Sequence, residues 1–228
     1  MTELEEHLLA VRQRIRDAER NAGRPAASVR LIAVSKTQPA SVLAEAYRYG
    51  QRDFGENYLQ ETLAKQRELT GLDIVWHFIG PIQANKTRPL AEHFDWVHSV
   101  DRLKIAQRLS EQRPAELEPL NVAIQVNVSG EATKSGVGLD ELADLAAAVQ
   151  HLPGLRLRGL MAIPAPTNSI EAQRAAFRSL RLALEGLALS GVDELSMGMS
   201  DDLEAAIREG ATLVRVGTAI FGQRHRRQ

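Results

Sequence analysis

The chain has 228 residues, 44% hydrophobic and 25% charged, with a formal net charge of -1 and no cysteine. This balance is typical of a globular protein with one large or two small domains, and it excludes an overall field that attracts nucleic acid or membrane. The lack of cysteine excludes disulfides, thiolate metal sites and cysteine nucleophiles. No segment is typical of a signal peptide or a membrane span, so we expect a cytoplasmic protein.

The first predicted element is an amphipathic helix. Gly23 and Pro25 are expected to end it, because neither residue continues a helix well. Apolar residues at spacings of three and four form one face of this helix: Leu4, Leu8, Val11, Ile15 and Ala18.

Eight short apolar segments follow, and we interpret each as a strand. They are LIAVS from Leu31, DFGE from Asp53, VWHFIG from Val75, WVHSV from Trp96, NVAIQVNV from Asn121, LRGLMAI from Leu157, ELSMG from Glu194 and LVRVGTAIF from Leu213.

Helical patterns lie between these strands, among them PASVLAEAYRYG, GLDELADLAAAVQHL and SIEAQRAAFRSLRLALEGL. A further helix is predicted to begin near Ser200, with Asp201 and Asp202 in its first turn, and to end at Gly210. Strands that alternate with helices predict an α/β fold, and eight such units indicate a single (β/α)8 TIM-type barrel over residues 1–228 with an extra N-terminal helix. An open doubly wound sheet is the alternative, although no G-x-G-x-x-G motif follows the first strand.

Working residues of a barrel lie at the carboxyl ends of its strands, and Lys36 follows the first strand there. Strand alternation places Ile32, Val34 and Lys36 on one face. If that face is the barrel interior, partial desolvation favours the neutral, nucleophilic amine. The alternative is a strand-end lysine that extends its ammonium group to water.

Two turns late in the sequence are rich in small and hydroxyl residues. One runs from Ser196 to Ser200, and the other contains Gly217 and Thr218. Backbone N–H groups approach an anion closely where side chains are small, and barrels place phosphate sites after strands seven and eight. Ordinary turn glycine and N-cap serine explain either turn alone. With a lysine on the neighbouring first strand, both turns suggest pyridoxal phosphate or a phosphorylated sugar bound as a Schiff base.

Arg215 lies two residues before Gly217 and is predicted to share its inward face. A buried arginine needs a partner, and a pyridine nitrogen would serve as acceptor. Because arginine keeps its proton, the ring nitrogen would stay unprotonated and withdraw electrons weakly.

Six ordered segments, LIAVSKTQP, FGENYLQE, WHFIGPIQANK, LRGLMAI, LSMGMSDDLEAAI and VRVGTAIFG, together resemble the pyridoxal-phosphate homeostasis proteins of the YggS/PROSC type. The resemblance implies an alanine-racemase-like barrel that holds pyridoxal 5'-phosphate as an aldimine on Lys36. It also implies that Asn57 lies near the ring or its lysine and that Met161 packs against the ring. The full set of implied cofactor-binding residues is Lys36, Asn57, Met161, Ser196, Ser200, Arg215, Gly217 and Thr218.

Within this set, the resemblance implies that Ser196 and Ser200, with Gly217 and Thr218, hold the phosphate, and that Arg215 faces the ring nitrogen. It implies a protein that controls the supply of the cofactor with little or no turnover, and it assigns no catalytic residue.

The racemases to which the chain is similar carry a second, β-rich domain that supplies a tyrosine from the partner subunit. This sequence ends at Gln228, just after strand eight, so we expect neither that second base nor the racemase type of dimer. We therefore expect a monomer whose further partners are apo-enzymes that use the cofactor. The alternatives are a racemase or lyase that uses the cofactor, a class I aldolase, and a cofactor-free interaction module.

Four other polar residues stand out. Lys134 and Lys86 are interpreted as solvated lysines, and the alternative is a second amine that receives the cofactor. His77 and His98 lie within strand patterns and are interpreted as core or rim histidines rather than bases. No His, Asp and Glu cluster has the spacing of a metal site.

Overall fold

The computed structural model describes residues 1–130 and 135–222, so Lys134 lies outside the described residues. Its strands are β1 (Arg30–Val34), β2 (Asp53–Glu56), β3 (Val75–Phe78), β4 (Trp96–Val100), β5 (Leu120–Gln125), β6 (Leu155–Met161), β7 (Glu194–Ser196) and β8 (Leu213–Val216). Its helices are α1 (Glu3–Asn21), α2 (Ala40–Arg48), α3 (Leu59–Glu68), α4 (Thr87–His93), α5 (Leu103–Gln112), α6 (Leu142–Gln150), α7 (Ile170–Leu187), α8 (Leu203–Arg208) and α9 (Thr218–Phe221).

The strands form a closed parallel barrel in the order β1 to β8. Closure comes from β1, which pairs with β2 on one side, where Ala33 lies opposite Phe54, and with β8 on the other, where Ile32 lies opposite Arg215. The predicted (β/α)8 barrel is confirmed, and the open doubly wound sheet is wrong.

Helix α1 precedes the barrel and packs against α8 and α9. Its predicted apolar face is confirmed, because Leu8, Val11 and Ile15 are buried. Thr2 caps the helix, since its hydroxyl accepts a hydrogen bond from the N–H of Glu5 at 3.3 Å. This helix therefore lies behind the turns that follow β7 and β8.

The apolar core has two parts. The larger part lies between the barrel and its surrounding helices, and the smaller part fills the barrel interior with Ile32, Trp96 and Leu213. In a parallel barrel, side chains close the interior in this way, and they leave the carboxyl ends of the strands for function. Among the described residues, no helix combines the length and apolarity needed to cross a bilayer.

The predicted last strand was too long. β8 ends at Val216, and Thr218–Phe221 is helical because the N–H groups of Ile220 and Phe221 both donate to the carbonyl of Gly217 at 2.9 Å. The apolar run continues across this boundary, so composition alone does not separate the strand from the helix.

The predicted start of α8 was also early. The helix begins at Leu203, and Asp201 and Asp202 precede it in a turn. Asp202 Oδ1 accepts the N–H of Met199 at 2.6 Å, so this aspartate closes the turn instead of occupying the first helical turn.

Candidate functional site

A cavity of about 220 Å³ opens at the carboxyl ends of the strands. Six of the eight predicted site residues line it together: Lys36, Asn57, Ser200, Arg215, Gly217 and Thr218. The other lining residues are Val34, Gln38, Ile79, Ile163, Met199, Asp201, Phe221 and Gly222.

The other two predicted residues, Met161 and Ser196, are fully buried and do not line this cavity. Met161 ends β6, and Ile163, two residues later, lines the cavity instead. Ser196 Oγ is hydrogen-bonded to Arg215 and to His98. The contacts predicted for these two residues, Met161 with the ring and Ser196 with the phosphate, therefore stay predictions, since neither side chain lines the cavity. Ser196 does hydrogen-bond to Arg215, which lines it.

Lys36 reaches the cavity from the direction that strand alternation predicts. Ile32 lies in the interior cluster, and Val34 and Lys36 line the cavity, so the three residues share the inward face. Lys36 is half-buried. The N–H of Gln38 donates to the carbonyl of Ser35 at 3.0 Å, which closes a turn with Lys36 at its second position.

A buried charge network lies behind this turn. Lys65, on α3, donates to Glu56 Oε1 at 2.7 Å and to the carbonyl oxygen of Ser35 at 2.9 Å, and its Nζ lies 2.6 Å from Glu61 Oε1. The hydroxyl of Ser35 also donates to Glu56 Oε1 at 2.7 Å. Burial raises the pKa of Glu56, and the nearby Lys65 acts in the opposite direction.

Arg215 forms the floor of the cavity. Its Nη1 donates to Ser196 Oγ at 2.6 Å and its Nη2 to the carbonyl of Ala162 at 2.9 Å. Burial lowers the pKa of Arg215 to about 10, and Asp202 opposes that change, so the guanidinium is protonated at pH 7. The sequence predicted the inward direction of this side chain and not its two partners within the chain.

Below Arg215, a hydrogen-bonded chain runs through the barrel interior. Ser196 Oγ lies 2.8 Å from His98 Nδ1, His98 Nε2 lies 2.9 Å from His77 Nδ1, and His77 Nε2 lies 3.0 Å from Asp53 Oδ1. The carboxylate of Asp53 accepts, so His77 carries its proton on Nε2, and a neutral His98 then donates from Nε2 and accepts from Ser196. In every hydrogen bond of this series, the donor is therefore the residue nearer to Arg215 and the acceptor the residue nearer to Asp53.

Burial lowers the pKa of His77, and it lowers that of His98 well below its usual value, with His77 and Arg215 adding to the effect on His98. Both rings are neutral at pH 7, as the direction of the chain requires. The interpretation of His77 and His98 as satisfied core histidines is confirmed.

A neighbouring side of the cavity is formed by the turns after β7 and β8. Ser200 Oγ accepts the N–H of Ala219 at 3.3 Å, which joins the two turns. A Cβ on Gly217 would lie 3.2 Å from the carbonyl oxygen of Val34, so glycine allows this turn to approach β1 closely. Gly198 has φ +94°, and a Cβ there would lie 2.6 Å from the Cβ of Ala206.

Asn57 presents an acceptor in the cavity. Its Oδ1 is buried and has no hydrogen-bond partner among the described residues. A buried polar atom without a partner is costly, so this oxygen fits a donor from a bound molecule. Within residues 1–130 and 135–222, no group of three or more His, Asp or Glu side chains could hold a metal ion.

Comparison with known proteins identifies the family. The chain matches the family of the alanine racemase N-terminal domain over residues 7–225. It is 66% identical over 224 residues to the pyridoxal phosphate homeostasis protein of Pseudomonas aeruginosa, covering 98% of this chain and 97% of that protein. The Escherichia coli (strain K12) protein of the same name is 55% identical over 231 residues, 98% of each chain. The chain belongs to the pyridoxal phosphate homeostasis protein family.

Solved structures agree with this assignment. PipY of Synechococcus elongatus, in the structure with PLP bound, is 38% identical with a TM-score of 0.84, covering 96% of this chain and 100% of that chain. Alanine racemase of Corynebacterium glutamicum is 21% identical with a TM-score of 0.66, covering 94% of this chain and 61% of that chain, and this likeness shows the shared fold. The family resemblance drawn from the six sequence segments is confirmed.

In this homeostasis-protein barrel, sequence reasoning missed two apolar residues at the cavity mouth and the charged residues behind Lys36. Ile163 and Met199 are partly exposed and line the cavity. Alternation from Met161 would have indicated Ile163, which shares its face. The i,i+4 spacing of Glu61 and Lys65 is a local signal of their ion pair on α3. Their contacts with the Lys36 turn depend on how α3 packs beside β1, and no local pattern signals those contacts.

Proposed function

We propose that this chain binds pyridoxal 5'-phosphate in the cavity, with Lys36 as the covalent attachment point, and that it holds and releases this cofactor with little or no turnover. One observation carries this proposal: a single cavity brings together the Lys36 amine, the Arg215 guanidinium and the small, hydroxyl-bearing turn at Ser200, Gly217 and Thr218. The names of the relatives and the PLP-bound structure of PipY support it.

The lining fits a ring compound that carries an aldehyde and a phosphate. The hydroxyls of Ser200 and Thr218 offer donors to an anion, and Gly217 leaves room for its oxygen atoms. Asn57 Oδ1, which is buried and has no partner among the described residues, would accept a hydrogen bond from a donor on the bound molecule. The amine of Lys36 lies on the same lining, so one molecule can contact both walls.

Lys36 Nζ would form a C=N bond with the aldehyde carbon and release one water molecule, and water would reverse the step when the cofactor leaves. When bound, the cofactor supplies an electrophilic carbon conjugated to an electron-withdrawing ring. The chain's own contribution is to hold the amine near that carbon and to bind the phosphate separately.

Arg215 explains why turnover would be low. It is protonated at pH 7 and remains so, since the pKa of about 10 lies well above neutrality. It would donate a hydrogen bond to the ring nitrogen without giving up its proton, and an unprotonated ring stabilises a carbanion weakly.

The first experiment is an absorbance spectrum of the protein with pyridoxal 5'-phosphate. We expect a long-wavelength band that is abolished in Lys36→Ala and unchanged in Lys104→Ala, which removes an exposed lysine on α5. A wild-type protein that stays colourless with the cofactor would defeat the proposal.

Turnover separates a carrier from an enzyme. Sustained racemisation or elimination of amino acids at about 1 per second or faster, or aldol cleavage of a sugar phosphate, would support the enzyme alternatives instead. Transfer of cofactor from the loaded protein to an apo-enzyme, measured as recovered enzyme activity, is expected for a carrier.

We also propose that residues 1–228 act as a single domain, as a cytoplasmic monomer, with cofactor-dependent apo-enzymes as recipients. The family match across residues 7–225 supports the single domain. Sedimentation of the loaded protein at several concentrations tests the monomer, since a concentration-dependent mass would contradict it.

A further inference from the structure

The turn that carries Lys36 is held from both sides by one network of charged side chains. On one side of Lys36, the carbonyl oxygen of Ser35 accepts from Lys65 Nζ at 2.9 Å. On the other side, the N–H of Thr37 donates to Glu61 Oε1 at 2.7 Å. Lys65 and Glu61 are themselves 2.6 Å apart, so the two contacts belong to one network.

Lys65 Nζ is surrounded by three close acceptors. An ammonium group has three N–H donors, and the Nζ of Lys65 lies within 3 Å of three acceptors, on Ser35, Glu56 and Glu61. The side chains of Lys65 and Glu56 are 4% and 0% exposed, which removes water as a competitor. Lys65 is therefore committed to structure, although it lies close in space to the proposed attachment lysine.

The backbone at Thr37 shows that this support is needed. Its φ is +69°, in the left-handed region, at the third position of the turn closed between Ser35 and Gln38. Glycine is the usual residue there, because a β-branched side chain is strained at positive φ. Without its bond to Glu61, the N–H of Thr37 would lose the contact that fixes this conformation.

We propose that Lys65 and Glu61 are positioning residues that hold the Lys36 turn in the geometry needed for the covalent step. This inference rests on the proposed function. Neither residue lines the cavity, so neither contacts the ring or the phosphate. They act through Lys36 alone, and their loss affects attachment of an aldehyde far more than non-covalent binding of the rest of the molecule.

The test compares two ligands on the full chain: pyridoxal 5'-phosphate, and pyridoxine 5'-phosphate, which has an alcohol in place of the aldehyde. In Glu61→Ala we expect affinity for the aldehyde to fall about tenfold or more, because a misplaced amine weakens attachment. Affinity for the alcohol should stay within about twofold, because its contacts are unchanged. Equal losses for both ligands, or no loss for the aldehyde, would overturn the inference.

Two variants of α3 serve as controls. Glu68→Ala removes an exposed carboxylate from the same helix and should bind both ligands as the wild type does. Glu61→Gln keeps an oxygen acceptor for the N–H of Thr37 and should recover most of the affinity for the aldehyde. If Glu61→Gln is as weak as Glu61→Ala, the hydrogen bond to Thr37 is not what positions the turn.

Lys65 is tested with Glu56 changed at the same time, as Lys65→Met with Glu56→Gln, so that no buried charge is left without a partner. The double variant should show the same selective loss for the aldehyde. If the double variant does not fold, the test rests on Glu61→Ala. That variant is expected to fold, because the Glu61 side chain is 32% exposed. A wild-type protein that binds both ligands equally and shows no long-wavelength band would instead defeat the proposed function itself.

Discussion

The two walls of the cavity are built by different means. The Lys36 wall is held by the buried pair of Lys65 and Glu56, 2.7 Å apart, and by Glu61, which accepts a hydrogen bond from the N–H of Thr37. Thr37 has a strained φ of +69°. The second wall, the cup wall, is formed by the turns after β7 and β8 and is held by close packing at Gly198 and Gly217. Ion pairs stabilise the Lys36 wall, and glycines without side chains allow the close packing of the cup wall.

This difference follows from what each wall would do. An attachment lysine must present one atom in one place, which requires fixed contacts on both sides of its backbone. An anion site needs backbone and hydroxyl groups that approach closely, which requires small residues. The cup wall has an ion pair, Arg14 with Glu204, but both side chains are partly exposed, and such pairs stabilise little.

The largest expected effect is on the Lys36 wall. Lys65→Met leaves Glu56 buried without its cation, so the free energy of unfolding should fall by about 3–5 kcal/mol in urea titrations at pH 7. Lys104→Met, on the surface of α5, should change it by less than about 0.5 kcal/mol. Similar small effects in both variants would show that charge does not hold this wall.

The cup wall is tested next with Gly198→Ala. Positive φ and the 2.6 Å approach to Ala206 should together cost about 2–4 kcal/mol of unfolding free energy. Gly71→Ala is the matched control, because Gly71 also has positive φ, +91°, but no atom lies within 4 Å of the position that its new Cβ would take. It should cost only about 1–2 kcal/mol, and equal losses would mean that packing does not shape this wall.

The floor between the walls gives a smaller, pH-dependent effect. His77 and His98 have lowered pKa values when folded, so the unfolded chain binds more protons below about pH 6.5 and stability falls as the pH drops from 7 to 5. Each histidine contributes at most about 1.4 kcal/mol per pH unit.

His98→Gln removes one of these titrating groups and keeps an acceptor and a donor. Its unfolding free energy, measured in urea between pH 5 and 7, should fall less steeply than that of the wild type by about 1 kcal/mol per pH unit. The two proteins are compared with each other because Glu56 also changes stability with pH. Its pKa is raised in the folded protein, so just above its usual value near 4.5 it raises the unfolding free energy as the pH falls. If the unfolding free energies of the two proteins change with pH at the same rate, His98 is not a neutral histidine with a lowered pKa.

The smallest expected effect sharpens the first comparison. Thr37→Gly relieves the strain at φ +69°, which raises the unfolding free energy, while the extra freedom of glycine in the unfolded chain offsets part of that gain. We expect a net increase of up to about 1 kcal/mol by thermal or urea unfolding. A loss of more than about 1 kcal/mol would show that the threonine side chain, and not the network, holds the turn.

Much of the fold could be read from local patterns. The eight apolar segments became the eight strands, and inward alternation correctly brought Lys36, Arg215 and Gly217 to one cavity. Errors came at boundaries, where one apolar run contains both β8 and α9 and where Asp202 closes a turn instead of starting α8. Local composition does not distinguish these conformations, because the deciding hydrogen bonds form a few residues away.

The sequence by itself determined the barrel, the family and the direction of the cavity-lining side chains, because strand periodicity depends on residues that are neighbours in the chain. The tertiary structure decided what supports them. Ser196 joined Arg215 to His98, which precedes Ser196 by 98 residues. Lys65 and Glu61 hydrogen-bond to the backbone on either side of Lys36. Such contacts depend on how helices and strands pack after folding, so they leave no spacing that a sequence pattern can reveal.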